Sequence, residues 1–272
     1  MISALSRPDT SAAGNISPPV PLVIGESFTI ESVVLGETRR INVFEPTVYG
    51  EKLTGPLPVL YMLDGGLNED FLHIAGLVQV LVCNGGMRPF LLVGIENTQR
   101  RRDLTGPTAS DEDKKIAPVV GGSEAFRRFL EDELMPAVRD RYTTTAESAI
   151  IGESLAGLFV VETSIVDPGL FTTYIAIDPS LWWNNGHLFR EASAGRSPRP
   201  ERSTSLFVAT SRDSQFAPAA NELCRALSAA GGGNLRVQYV PFEDETHATI
   251  YHPAATRALR AVFGAEETGS PR

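Results

Sequence analysis

Short apolar runs separated by helical patterns narrow the folds open to this chain more than any other feature. The runs are Pro58–Leu63, Phe90–Ile95, Ser148–Ile151, Tyr174–Ile177, Ser205–Ala209 and Arg236–Val240, each bounded by Gly, Pro, Asp or Asn. Apolar character over so short a length, with turn formers at both ends, is the pattern of a strand buried on both faces. Helical patterns lie between most of them, at Glu124–Arg141, Leu155–Val166, Pro218–Ala230 and Pro253–Phe263. In the first of these, Phe126, Phe129, Leu130 and Leu134 recur at helical spacing with charges on the other face. Strands alternating with helices predict an α/β fold, with a mostly parallel central sheet and helices on both of its faces. Ser27–Val34 and Arg40–Phe44 read as two opening strands joined at Gly36. The polar stretch Arg100–Gly122 is expected to form a loop at the C-terminal edge of the sheet, where such folds bind ligands.

No internal repeat or interior linker breaks this pattern, so residues 23–265 are expected to form a single domain. Residues 1–22, rich in Pro, Ser and Ala, read as an extended N-terminal arm, and residues 266–272 as a loose C-terminal tail. The arm lacks the basic start and apolar core of a secretory signal, which points to the cytoplasm. Composition excludes several function classes. The 272 residues carry 24 Lys plus Arg against 33 Asp plus Glu, a net charge of −9. That balance argues against nucleic acid or an anionic membrane as partner, and no apolar run approaches the roughly 20 residues that span a bilayer. Two cysteines, Cys83 and Cys224, exclude a disulfide scaffold and a Cys-rich zinc site. Both fall in helical stretches and are expected to be buried and inert. Four histidines (73, 187, 247 and 252) leave little for a metal cluster. No cofactor and no metal are expected.

The sharpest local signal is Ala149-Ile150-Ile151-Gly152-Glu153-Ser154-Leu155-Ala156-Gly157-Leu158-Phe159. A β-like run meets a serine between small residues and a helical pattern follows at once, the context of a nucleophile elbow. Side chains two positions from such a serine would collide with the adjacent strand and helix, hence Gly152 and Ala156. The competing reading is a Gly-containing turn with Ser154 as a helix N-cap. A serine nucleophile needs a positioned base, usually a histidine oriented by a carboxylate, and in this fold the chain order is Ser, acid, His. His247, in the loop after the last strand, is the expected base, with His252 as the alternative. Asp213, after the strand Leu206–Ala209, is the expected acid. Asp178, at the end of the strand before it, is the alternative. Two backbone N–H groups should stabilise the oxyanion, one from Leu155 and one from Gly66 in Leu63-Asp64-Gly65-Gly66. Gly65, Glu153, Trp183 and Arg102 are expected at the substrate pocket. An Arg102 paired with Asp103 to tie down the long loop is the competing reading.

The chain resembles an esterase group of the α/β-hydrolase fold, the one that includes enterochelin-esterase-like siderophore hydrolases and esterase D. The matching pieces run in order from about residue 28 to residue 263. They are Leu35-Gly36-Glu37-Thr38-Arg39-Arg40-Ile41, Pro58–Gly65, Val93-Gly94-Ile95-Glu96-Asn97-Thr98, Arg100, Arg102-Asp103-Leu104-Thr105, the elbow, and Pro179-Ser180-Leu181-Trp182-Trp183-Asn184. The resemblance implies Ser154 as nucleophile, His247 as base, and hydrolysis of a small-molecule carboxylic ester through an acyl-enzyme. The chain departs from the group's usual pattern in Glu153 for His, Ala156 for Gly, and Asp178 for Ser. A siderophore trilactone esterase, an acyltransferase and a non-catalytic binding relative are the other readings of the same pattern.

Overall fold

A computed structural model of the chain describes residues 17–193 and 200–264. Most of the expected arm and all of the expected tail lie outside these residues. The elements in chain order are β1 (Glu26–Ser32), β2 (Glu37–Phe44), the short β3 (Thr47–Val48) and β4 (Glu51–Lys52), β5 (Leu57–Met62), α1 (Phe71–Cys83) and β6 (Leu91–Ile95). The short helices α2 (Arg100–Asp103) and α3 (Asp111–Ile116) follow, then α4 (Ser123–Phe129), α5 (Met135–Arg141), β7 (Thr144–Glu153) and α6 (Leu155–Val166). The chain continues with β8 (Thr173–Ile177), α7 (Trp183–Ser193), β9 (Thr204–Ser211), α8 (Ala217–Ala230), β10 (Leu235–Phe242) and α9 (Tyr251–Phe263). Among the described residues no helix is long and apolar enough to cross a membrane.

Eight strands form one sheet in the order β1-β2-β6-β5-β7-β8-β9-β10. The hairpin β1–β2 and the β2–β6 pair are antiparallel, and every pair from β6 to β10 is parallel. This is the mostly parallel α/β-hydrolase sheet. Its strands are buried on both faces because their alternate residues feed two separate cores. Val59 and Tyr61 of β5 pack in the core under α4, α5, α6 and α8, while Leu60 and Met62 pack in the core under α1 and α9. Tyr174 and Ala176 of β8 divide in the same way from Ile175 and Ile177. The chain leaves β5 toward the α1 face and leaves β7 toward the α6 face. A crevice therefore opens where the carboxyl ends of these two neighbours diverge, the usual ligand position in such sheets.

Two local departures have physical causes. The expected helix Glu124–Arg141 is continuous only through a π-turn at Leu130–Leu134. Pro136 comes two residues after it and has no N–H to give the preceding turn, so the hydrogen-bond ladder widens there. The expected loop Arg100–Gly122 contains α2 and α3, and it is tied to the sheet by a buried ion-pair network. Arg39 of β2 is fully buried and donates to Asp103 Oδ2 at 2.6 Å and Glu37 Oε1 at 2.9 Å. Arg102 bonds Glu37 and Asp103 in turn.

Burial opposes ionisation of Glu37, but hydrogen bonds from Arg102, Thr98 and Arg39 outweigh it and bring its carboxyl from 4.5 to about 2. The stability this carboxylate contributes is complete above pH 4.5 and is lost as pH falls through about 2. The difference in urea stability between wild type and Glu37→Gln is therefore expected to narrow steadily over that interval. A difference independent of pH there would show that the side chain's shape matters and its charge does not.

Candidate active site

Ser154 stands between the last residue of β7 and the first of α6, with φ 61° and ψ −119°. A non-glycine residue held at positive φ is strained, and the surrounding packing must enforce it. The sequence supplies that packing. A Cβ on Gly152 would lie 2.7 Å from the Ala156 Cβ, and one on Gly157 would lie 2.9 Å from the Ile177 carbonyl oxygen. Ala156 is thus accommodated in place of the usual glycine because Gly152 has no side chain to meet it. The Ser154 side chain makes no helix-capping bond, which removes the N-cap reading. Its Oγ lies 3.4 Å from the Oγ of Ser180, a buried residue whose N–H donates to the Ser154 carbonyl at 3.0 Å.

A cleft of about 530 Å³ opens over this serine, lined by Ser154, Asp178, Ser180, Trp182, Phe216 and His247 among others. His247 Nδ1 lies 2.7 Å from Asp178 Oδ2. An ionised carboxylate can only accept, so this contact places the proton on Nδ1 and leaves Nε2 as the basic nitrogen. The carboxylate that contacts the histidine is therefore Asp178, where Asp213 was expected. Asp178 follows β8 at φ 42°, and Ser211 at the end of β9 holds it by N–H to Oδ1 (2.9 Å) and Oγ to Oδ2 (2.7 Å). Asp213 lies two residues beyond the end of β9. It lines the cleft but is about half exposed, beside Arg212 at 3.7 Å. The alternative base His252 lies elsewhere, on α9, with its Nδ1 2.8 Å from His73 Nε2.

Electrostatics follow from this pairing. Burial opposes ionisation of Asp178, yet the bonds from His247 and Ser211 outweigh it and hold the carboxyl below its usual range. The hydrogen bond to Asp178 raises His247 above the ordinary imidazole value against its partial burial, and the charges of Asp178 and Glu153 add to the rise. Glu153 itself is pushed up to about 7, chiefly by burial and then by Asp70, Asp178 and Asp64, with His247 opposing.

Four pocket positions expected from sequence fare differently. Glu153 stays close enough to His247 to shift its titration. Trp183 turns into the core at 5% exposure and donates Nε1–H to the Gly106 carbonyl, so its neighbour Trp182 forms the cleft wall instead. Arg102 is taken up by Glu37 and Asp103 and does not line the cleft. Gly65 is locked between strands, its N–H on the Ile95 carbonyl and its own carbonyl on Asn42 Nδ2. The Gly66 N–H donates to Glu69 Oε2 at 2.6 Å. Sequence reading missed the parts played by Glu69, Ser180 and Ser211: Ser180 falls within the matching piece Pro179-Ser180-Leu181-Trp182-Trp183-Asn184, whereas Glu69 and Ser211 lie in no motif that marks them. It also missed the link from the loop after β5 to the elbow: Arg100 bonds both oxygens of Asp64 (2.6 and 2.8 Å) and reaches the Glu153 carbonyl at 3.4 Å.

This architecture has many relatives. Residues 32–238 match the family model described as Putative esterase. The siderophore triacetylfusarinine C esterase of Aspergillus fumigatus is 35% identical, over 92% of this chain and 97% of that protein. The ferri-bacillibactin esterase of Bacillus subtilis is 29% identical over 82% of this chain and 85% of that one. The crystal structure of an IroE-like serine hydrolase from Shewanella oneidensis superposes with a TM-score of 0.76 at 26% identity, covering 88% of this chain and 80% of that one.

Proposed function

The chain belongs to the Putative esterase family and is a serine hydrolase of carboxylic esters, and from that premise we propose that Ser154 is its nucleophile, His247 its base and Asp178 the acid that orients the base. The observation that carries the reading is the 2.7 Å His247–Asp178 contact in the same cleft as a serine strained into an elbow. Ser154 Oγ attacks the carbonyl carbon while its proton passes to His247 Nε2. The imidazolium, stabilised by Asp178, then protonates the departing alkoxide and leaves an acyl-enzyme. Water, deprotonated by the same nitrogen, releases the acid. The negative oxygen of each tetrahedral intermediate is taken by the N–H of Leu155, the first residue of α6, and by that of Gly66. Such donors are worth roughly 3–4 kcal/mol each in the transition state.

The substrate we propose is an ester bond of a siderophore, a reading supported by the relatives that act on triacetylfusarinine C and on ferri-bacillibactin. The charge around the site narrows it further. Asp70 and Asp64 add to the negative field at Glu153, Asp178 and Glu153 add to that at His247, Asp213 lines the cleft, and Glu243-Asp244-Glu245 leads into His247. A neutral or cationic ester is favoured over a strongly anionic one.

Matched chromogenic esters of one acyl length, differing only in the charge of the acyl tail, test this. At low ionic strength kcat/KM for the neutral and cationic esters is expected to exceed that for the anionic one by about tenfold, a gap that shrinks as salt screens the field. Preference for the anionic ester would overturn the charge argument. Failure of wild type to label with a fluorophosphonate would overturn the nucleophile itself and favour a binding protein.

A further inference from the structure

The N–H assigned to the oxyanion is already occupied. Glu69 Oε2 sits 2.6 Å from the Gly66 nitrogen, and the Glu69 N–H returns a bond of 3.0 Å to the Gly66 carbonyl, so the two residues close a tight reciprocal turn. The carboxylate is held there from behind. Asn97, just beyond β6, donates its amide Nδ2–H to Glu69 Oε1 at 2.8 Å and to Asp64 Oδ1 at 2.5 Å, and its backbone N–H approaches Glu69 Oε2 at 3.4 Å. A Cβ on Gly66 would fall 2.7 Å from Glu69 Oε2, so glycine is required for the carboxylate to come this close.

A carboxylate oxygen on a backbone N–H has the charge and the hydrogen-bond geometry of a tetrahedral oxyanion. One N–H at 2.6 Å from an oxygen cannot serve a second anion fully. We propose that Glu69 is a positioning residue that gates the second oxyanion donor: its carboxylate holds the Gly66 N–H in the ester-free enzyme and yields it to the carbonyl oxygen of the substrate during the reaction. The proposal rests on the reading of Ser154 as nucleophile and Gly66 as donor. The gate keeps the donor satisfied and oriented between turnovers, and the Asn97 amide retains the displaced carboxylate through Oε1. The cost is competition. Any species that develops negative charge at the donor must first expel another negative charge from it.

Phenylboronic acid reads this competition directly. Its boron accepts the Ser154 oxygen, the serine proton passes to His247, and the adduct is a tetrahedral anion with a hydroxyl oxygen at the oxyanion position. Two variants change the gate: Glu69→Gln removes its charge, and Glu69→Asp keeps the charge but shortens the reach. Either is expected to lower the inhibition constant of phenylboronic acid by about tenfold, roughly 1.4 kcal/mol, and to raise kcat more than it changes KM for p-nitrophenyl acetate. A residue that merely braced the loop would weaken boronate binding when altered. A fall of less than threefold in both variants, or a rise, overturns the proposal. Circular dichroism and fluorophosphonate labelling establish that each variant is folded with a working Ser154, and if one fails that check the other decides. Ser154→Ala is the control for the underlying reading: retained boronate binding there would mean that the nucleophile is misassigned, an outcome distinct from a silent gate.

Discussion

Replacing Ser154 with alanine is expected to reduce kcat for ester hydrolysis by about 10⁴- to 10⁶-fold, the range seen when a nucleophile that works as a unit with its base is lost. His247→Ala should fall as far, because neither member is useful without the other. The fold should survive the first change. Among the described residues Ser154 Oγ caps no helix and its hydrogen-bond partner is the Ser180 hydroxyl at 3.4 Å, so stability is expected to stay within about 1 kcal/mol. Steady-state turnover of p-nitrophenyl acetate, with urea unfolding in parallel, checks both halves. Turnover near wild type in a folded Ser154→Ala protein would place the nucleophile elsewhere.

The second large effect is expected at Asp178. Asp178→Asn keeps the shape of the side chain but removes the charge that fixes the His247 tautomer and stabilises the imidazolium. A loss of about 10⁴-fold in kcat is expected. Asp213→Asn, at a half-exposed position off the histidine, should stay within about threefold of wild type. The pH profile gives an independent readout. His247 acts as a base only when neutral, so the rate rises with pH through its pKa, and the bond to Asp178 lifts that pKa above 6.5. The acid limb of kcat/KM is therefore expected above the ordinary imidazole range in wild type and lower in Asp178→Asn. A large loss at Asp213 with normal turnover at Asp178 would return the acid to the end of β9.

The elbow and the histidine were legible in the chain because they rest on local or ordinal information. Ser154 sits where an apolar run turns into a helical pattern between Gly152 and Ala156, and His247 is in the loop after the last strand. The acid was not legible in the same way. Asp178 and Asp213 each follow a strand and each precede a turn or helix signal. The difference lies in the third dimension, where β8 and β9 pair in register and deliver the Ser211 N–H and hydroxyl onto Asp178. Trp182 and Trp183 were inseparable for a similar reason. Trp182 lines the cleft and Trp183 donates to the Gly106 carbonyl just before a left-handed turn through Asn184, Asn185 and Gly186, and no periodicity separates the two neighbours. Glu69 was invisible altogether, since its partner is a backbone N–H that becomes special only when β5 and β7 diverge.

Placing the acid at the end of β8 also divides labour along the sheet edge. In the proposed triad Asp178 and His247 pair without a side chain from the segment that follows β9, whose Arg212 N–H only ties down the Glu245 carbonyl of the histidine loop. Asp213, Ser214, Gln215 and Phe216 still face the cleft, but as wall alone. If the proposed roles hold, substitutions there are expected to reshape what the enzyme accepts while the proton relay stays untouched. In an enzyme whose acid stood at Asp213, every such experiment would risk the chemistry. With the acid at Asp178, as proposed, substrate range and turnover are expected to diverge independently, which makes these four residues the natural place for selection, or for a designer, to retune the enzyme toward a different ester.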